Sequence, residues 1–192
     1  MARFGLLAAL VGLAIPLTAQ RVPTAREFAA AAKNIRRLRP AAFPQLPPAF
    51  ARTLERLGCM IPQPNPEQIP RGDAPMNNVI HGAFARQGGA DWAVVCSRRG
   101  QSRVRIYWSH DRPCSVWLPG TFRDADFLQG WCDGQIVYSF SIAAVSNRQL
   151  QGYPPPLPLR LTHQAIEAGF LGKGSKVWYC KQGRWRLIAG AD

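Results

Sequence analysis

The sequence predicts an α+β fold: two N-terminal helices followed by a mostly antiparallel β-sheet with one short inserted helix, stapled by disulfides. Three observations predict it. Apolar residues from Phe28 to Leu57 recur at helical spacing, those beyond Asp91 mostly alternate with period two, and all five cysteines follow an apolar N-terminal run of export type. The chain of 192 residues is 47% hydrophobic, enough for one core, and only 18% charged. These proportions exclude a coiled coil, a collagen and a polytopic membrane protein. The expected organisation is a signal peptide over 1–19, a basic helical segment over 20–57 and an α+β domain over 58–192.

Met1-Ala2-Arg3, the apolar run Phe4–Leu17 and Thr18-Ala19 have the three parts of a secretory signal. The run is shorter than the roughly 20 residues that span a bilayer. Cleavage is expected near Ala19, leaving a periplasmic or secreted protein with no transmembrane span in the mature chain. Thr24-Ala25-Arg26-Glu27 is a capping box. Phe28, Ala31, Ala32, Ile35 and Leu38 continue one helical face until Pro40 stops it. Pro48 opens a second helix with Phe50, Leu54 and Leu57 inward, and Gly58 ends it. A proline-rich loop runs from Cys59 to Pro75. Asp91–Cys96 and Arg103–Trp108 read as strands joined by a turn at Arg98–Gln101. In the second of them Val104, Ile106 and Trp108 share one face, and Arg103, Arg105 and Tyr107 the other. Cys114–Leu118 and Gln135–Ile142 read as further strands. Tyr153–Pro158 is polyproline-like. Thr162–Phe170 is the expected short helix, with Ile166 and Phe170 inward. Lys176–Cys180 and Arg184–Ile188 form a hairpin over Gln182-Gly183.

Export makes disulfides the default for Cys59, Cys96, Cys114, Cys132 and Cys180, with one thiol left over. Their wide spacing, without Cys-x-x-Cys or a nearby His pair, fits neither zinc nor thioredoxin-type redox chemistry. The stretches Leu57–Gln63, Asn78–Phe84, Asp91–Ser97, Ile166–Phe170, Lys173-Gly174-Ser175, Gly183-Arg184-Trp185 and Gly190-Ala191-Asp192 together resemble a pattern in exported bacterial proteins of unknown function. That resemblance implies export and carries over no catalytic residue. Cys59 and Cys96 both belong to the pattern, and the bridge Cys59–Cys96 is expected on that ground; the second bridge expected is Cys114–Cys132. The stretch before Asp91 is also similar to one FG-GAP or VCBS-type repeat. Ala83, Ala85 and Arg86 stand there in place of the calcium-binding acids, so calcium is not implied.

No catalytic constellation is complete. Ser109-His110-Asp111 has the residue types of a hydrolase triad, but adjacent residues point apart, whereas a triad converges from distant segments. His163 and Glu167, at i and i+4 of the expected helix, would share a face but lack a third metal ligand. Gly169–Lys176 is glycine-rich, yet Lys173 precedes Gly174 and the stretch follows the expected helix, unlike a phosphate-binding loop; a helix cap and connector is expected. Arg71-Gly72-Asp73 and Pro155–Arg160 match integrin and Src-homology-3 ligand patterns, both short enough to recur by chance. No catalytic residue, cofactor or metal is therefore expected.

Lys and Arg total 24 against 11 Asp and Glu, a net charge of +13, and Arg supplies most of it. Residues 20–57 carry eight basic and two acidic side chains, a disproportionate share. Contact with an acidic surface is expected through Arg26, Lys33, Arg36 and Arg37, and through Arg103 and Arg105 on the strand. No nucleic-acid motif accompanies them, so the expected partner is an anionic envelope component or a protein rather than a nucleic acid. The functional expectation is a non-enzymatic exported domain binding such a partner. The alternative is an exported hydrolase using His110 or His163.

Overall fold

The computed structural model describes residues 22–69, 78–153 and 160–190. The expected signal peptide, Arg71-Gly72-Asp73 and the proline run at 154–158 lie outside them. Helix α1 (Ala25–Lys33) has the capping box written in its sequence: Thr24 Oγ accepts the Glu27 amide at 3.3 Å, and Glu27 Oε2 accepts the Thr24 amide at 2.7 Å. The helix stops at Lys33, about one and a half turns before the expected end. Asn34 caps it, and Arg37–Leu38 is extended as β1. Helix α2 (Pro48–Arg56) begins with Pro at its first turn, and its chain reverses at Gly58, whose φ of 67° suits only glycine without strain. Strand β2 (Ile61–Pro62) then pairs antiparallel with β1.

The remaining described residues build two four-stranded antiparallel sheets and a small ribbon. The first sheet holds β3 (Val79–Gly82), β4 (Asp91–Arg98), β5 (Gln101–Tyr107) and β6 (Phe122–Arg123), in that spatial order. The ribbon is β7 (Leu128–Gly130) against β8 (Ile136–Tyr138). After β9 (Phe140–Val145) comes α3 (Asn147–Gln151), then β10 (Ala165–Phe170), β11 (Gly174–Lys181) and β12 (Arg184–Ala189). The second sheet runs β12-β11-β10-β9. Both two-residue hairpin turns have positive φ at both positions: Arg99 and Gly100 at 50° and 78°, Gln182 and Gly183 at 52° and 77°. That geometry matches the twist of the flanking strands.

Three expectations are corrected. Thr162–Phe170 is not a helix: Ala165–Phe170 is the strand β10, bonded on both sides. Residues i and i+4 share a face in a strand as well as in a helix, so Ile166 and Phe170 did not discriminate. The short helix is α3 instead, capped by Ser146 and Gln149. Cys114–Leu118 is not a strand but a segment bridged to β5, with the Ile106 amide on Val116 O at 2.8 Å and the Leu118 amide on Val104 O at 3.0 Å. Gln135–Ile142 divides at Ser139 into β8 and β9, which pair with different neighbours.

The inner faces of the two sheets meet across the main core, with Val95, Val104 and Ile106 opposite Phe140, Ile142 and Ile166. Helix α2 covers the outer face of the first sheet, setting Phe50 and Leu54 against Val79 and Val94. Leu150 of α3 packs with Val145, Ala165 and Val177 on the outer face of the second. A helix of nine residues is marginal in water. Burying Phe50 and Leu54 contributes about 1.5–3 kcal/mol each, so packing rather than propensity holds α2.

Disulfides tie these layers. Cys59–Cys96, with a Cα separation of 4.9 Å, pins the end of α2 to β4. The second bridge is Cys114–Cys180, at 6.1 Å, and not the expected Cys114–Cys132. Cys180 and Cys114 both face the main core, whereas Cys132 is exposed on a 3₁₀ turn beside the ribbon. Disulfides between packed layers fit a protein exported to an oxidising compartment. Among the described residues, no helix is long and apolar enough to cross a membrane. A thiol reagent applied to denatured, unreduced protein should titrate one thiol per molecule, and Cys132→Ser should abolish it without moving Tm. Replacing Cys114 and Cys180 together by serine should cost about 2–4 kcal/mol in urea unfolding; three titrated thiols would contradict the pairing.

Candidate functional site

Strand β5 alternates, so Ser102, Val104 and Ile106 turn inward while Arg103, Arg105 and Tyr107 turn outward. Below this strand lies Asp124, only 1% exposed. Its Oδ2 accepts Ser97 Oγ at 2.6 Å and Arg37 Nε and Nη2 at 3.0 and 2.7 Å; its Oδ1 accepts Ser102 Oγ at 2.5 Å. The Asp124 amide also donates to Gly100 O at 2.9 Å. Ser97 and Ser102 are paired in register, so one carboxylate locks the turn end of the β4–β5 hairpin. Desolvating a lone carboxylate costs several kcal/mol, and here a guanidinium and two hydroxyls offset it. The Tyr138 hydroxyl is buried without a hydrogen-bond partner among the described residues. Burial pushes that phenol well above its usual pKa of 10.0; the Asp124 carboxylate adds to the rise and Arg37 opposes it.

On the outer face, the Arg103 and Arg105 guanidinium carbons lie 4.9 and 4.7 Å from the centre of the Trp117 ring. Trp117 reaches them because its segment is bridged to Arg105. Each stacking contributes roughly 0.5–2 kcal/mol, enough to hold two like charges side by side in water. Both Nε atoms are buried without a hydrogen-bond partner, and neither arginine pairs with a carboxylate among the described residues. Burial lowers the Arg105 pKa from its ordinary value, and Arg112 adds to the fall. Alongside runs an aromatic row in register, His81, Trp92 and Tyr107: the His81 and Trp92 rings meet at a tilt, 4.7 Å apart, and Tyr107 rests on Phe50 at 5.3 Å. Planar guanidiniums with unused donors suit carboxylate, sulfate or phosphate oxygens.

The structure brings together only part of the expected contact set. Arg103 and Arg105 meet on one ring. Arg26, Lys33 and Arg36 are exposed, on or just after α1, which packs against the ribbon rather than β5. Arg37 is corrected: it belongs to β1 and turns inward to Asp124, so it is not a surface contact. Trp117 was missed, because only the return of the chain after β5 places it over the arginines.

The other candidates have structural partners. Asp91 Oδ1 accepts the Ser109 amide and hydroxyl at 2.9 and 3.0 Å, and its Oδ2 accepts the Phe84 amide at 3.0 Å, closing the loop between β3 and β4. His110 is exposed just beyond β5. The His163 ring nitrogens lie 2.9 and 3.0 Å from the carbonyl oxygens of Gln164 and Cys180. Glu167 lies on a strand, not a helix, and accepts from Tyr153 Oη at 2.8 Å and Ser175 Oγ at 2.5 Å. Gly169–Lys176 links β10 to β11 as a hairpin instead of capping a helix. Among the described residues no group of three His, Cys, Asp or Glu converges as a metal site.

No family model, curated protein or solved structure matches the chain. Its class therefore rests on architecture: a disulfide-stapled α+β domain with an arginine–tryptophan face.

Asp124→Ala should lower stability by about 3–5 kcal/mol in urea unfolding, because the partly buried Arg37 loses its carboxylate; a loss under about 1 kcal/mol would show that the carboxylate is not the lock. Tyr138 gives an alkaline signature. Its folded pKa lies above the unfolded value of 10.0, so its contribution is complete below that pH and is lost as pH rises toward the folded value. Between about pH 8 and about pH 11 the urea midpoint of the wild type should therefore fall further than that of Tyr138→Phe. Tyr153 leaves a residual loss, since burial, the Glu167 charge and its hydrogen bond raise that phenol too.

Proposed function

We propose that the protein is a non-enzymatic exported domain that binds an acidic component of the cell envelope through Arg103, Arg105 and Trp117. The observation that carries this reading is the pairing of two arginines on one indole with no carboxylate among the described residues to neutralise them. Contact with the indole holds both guanidiniums in place in advance, so an incoming acid binds without first ordering two long side chains. The aromatic row His81-Trp92-Tyr107 extends the surface, suiting a polymer whose acidic groups alternate with sugar rings or other flat units. The sequence resemblance to exported bacterial proteins and the two disulfides agree with an envelope location. The hydrolase alternative lacks comparable support: neither His110 nor His163 is hydrogen-bonded to a carboxylate or a nucleophile among the described residues.

Binding to heparin, used as a generic sulfated polymer, should weaken steeply between about 50 and 200 mM salt. Arg103→Gln with Arg105→Gln should weaken it about tenfold or more and flatten the salt slope, whereas Arg26→Gln with Lys33→Gln should change it by less than about threefold. Binding insensitive to salt, or unaffected by the β5 variants, would overturn the reading.

A further inference from the structure

We propose that the gap between the two sheets is a separate binding site for an amphipathic acid, a medium-chain carboxylate whose chain lies among phenylalanine rings and whose head meets lysine. The gap is a cavity of about 460 Å³ on the inner face of β5, so it is distinct from the arginine–tryptophan face on the outer side. Pockets of about 300–1,000 Å³ lined mainly by apolar side chains are the usual setting for small ligands.

Four rings form a continuous wall: Phe122 lies 4.2 Å from Phe140 and 4.9 Å from Phe127, and Phe127 lies 4.6 Å from Phe140 and 5.3 Å from Phe170. Trp178 faces them from β11. The space exists because the inward row across the second sheet reads Ile142, Ala168, Lys176, with a methyl at its centre where a core of normal density would hold a larger side chain. Phe122, Phe127, Phe170 and Trp178 remain half-buried although they lie between two sheets, so the gap opens to solvent.

Charge decides the class of ligand. Lys176 stands exposed at the rim, and Lys173 Nζ lies 4.3 Å above the Phe170 ring. Neither lysine makes an ion pair with a carboxylate among the described residues. The nearby acid, Glu167, points to the opposite face of the sheet, where Tyr153 and Ser175 hold it. An apolar chamber with the Lys176 ammonium at its rim and a second, Lys173, over one of its wall rings favours an apolar body ending in an anion over a neutral apolar molecule.

The test titrates the whole protein with decanoate and with decanol, followed by calorimetry and by tryptophan fluorescence, to which Trp178 reports. Decanoate should bind saturably at one site, and decanol about threefold to fivefold more weakly, the span that an exposed ion pair supplies. Lys176→Gln with Lys173→Gln should erase that difference. Ala168→Phe, which fills the floor, should weaken decanoate at least tenfold while unfolding cooperatively; Thr121→Phe at the mouth serves the same purpose if Ala168→Phe does not fold. Arg103→Gln with Arg105→Gln should leave decanoate binding intact, which separates this site from the proposed envelope-binding face. Absence of saturable binding, equal affinity for acid and alcohol, or indifference to both blocking variants would overturn the proposal.

Discussion

A single carboxylate organises the hairpin on which the proposed surface depends. Asp124 collects Ser97, Ser102 and Arg37 from three separate strands, and its own amide holds the turn at Gly100. One hairpin and a strand far from it in sequence thus converge on one buried charge, which has little choice of partners once water is excluded. The direction of Ser102 sets the directions of its neighbours. If the hydroxyl points in toward Asp124, strand alternation turns Arg103 and Arg105 out onto Trp117. A register slip of one residue would bury both guanidiniums and expose Val104 and Ile106. The buried polar cluster therefore acts as a register key for the exposed cationic one.

The first sheet in this way separates two chemistries across its thickness. Its outer face carries Arg103, Arg105 and an aromatic row, whereas its inner face borders an apolar chamber shared with the second sheet. Helix α2 covers only part of the outer face, and Cys59–Cys96 fixes how far that cover extends. Cys114–Cys180 performs the corresponding task between the sheets, joining the segment that carries Trp117 to β11, which carries Lys176 and Trp178.

Features decided by neighbours in sequence were legible. The capping box at Thr24, the start of α2 at Pro48 and the turns at Gly100 and Gly183 each rest on a few adjacent residues, and the structure contains all of them. Features decided by packing were not. Ile166 and Phe170 fit either period, and only the position of β10 between two strands selects the extended form. Arg37 continues the periodicity of α1, yet ion pairing with a residue 87 positions away holds it in β1. Cys132 is much nearer to Cys114 in sequence than Cys180 is, but the chain carries it to the surface before the sheets close. At the candidate site, the alternation of Arg103 and Arg105 could be read directly. Their shared indole could not, since nothing in Cys114–Leu118 marks Trp117 as their platform.

The two disulfides follow one another without interlacing, closing stretches 37 and 66 residues apart in sequence. Covalently the chain is two successive rings joined by a short tether, and that tether, residues 97–113, is β5 with its approaches. Each ring is closed by its own bridge, so reducing one leaves the other covalently intact. A cut anywhere between Cys114 and Cys180 would leave both fragments attached, with the tether uncut. A single proteolytic cut in the larger ring would in this way leave the arginine-bearing strand attached to both pieces.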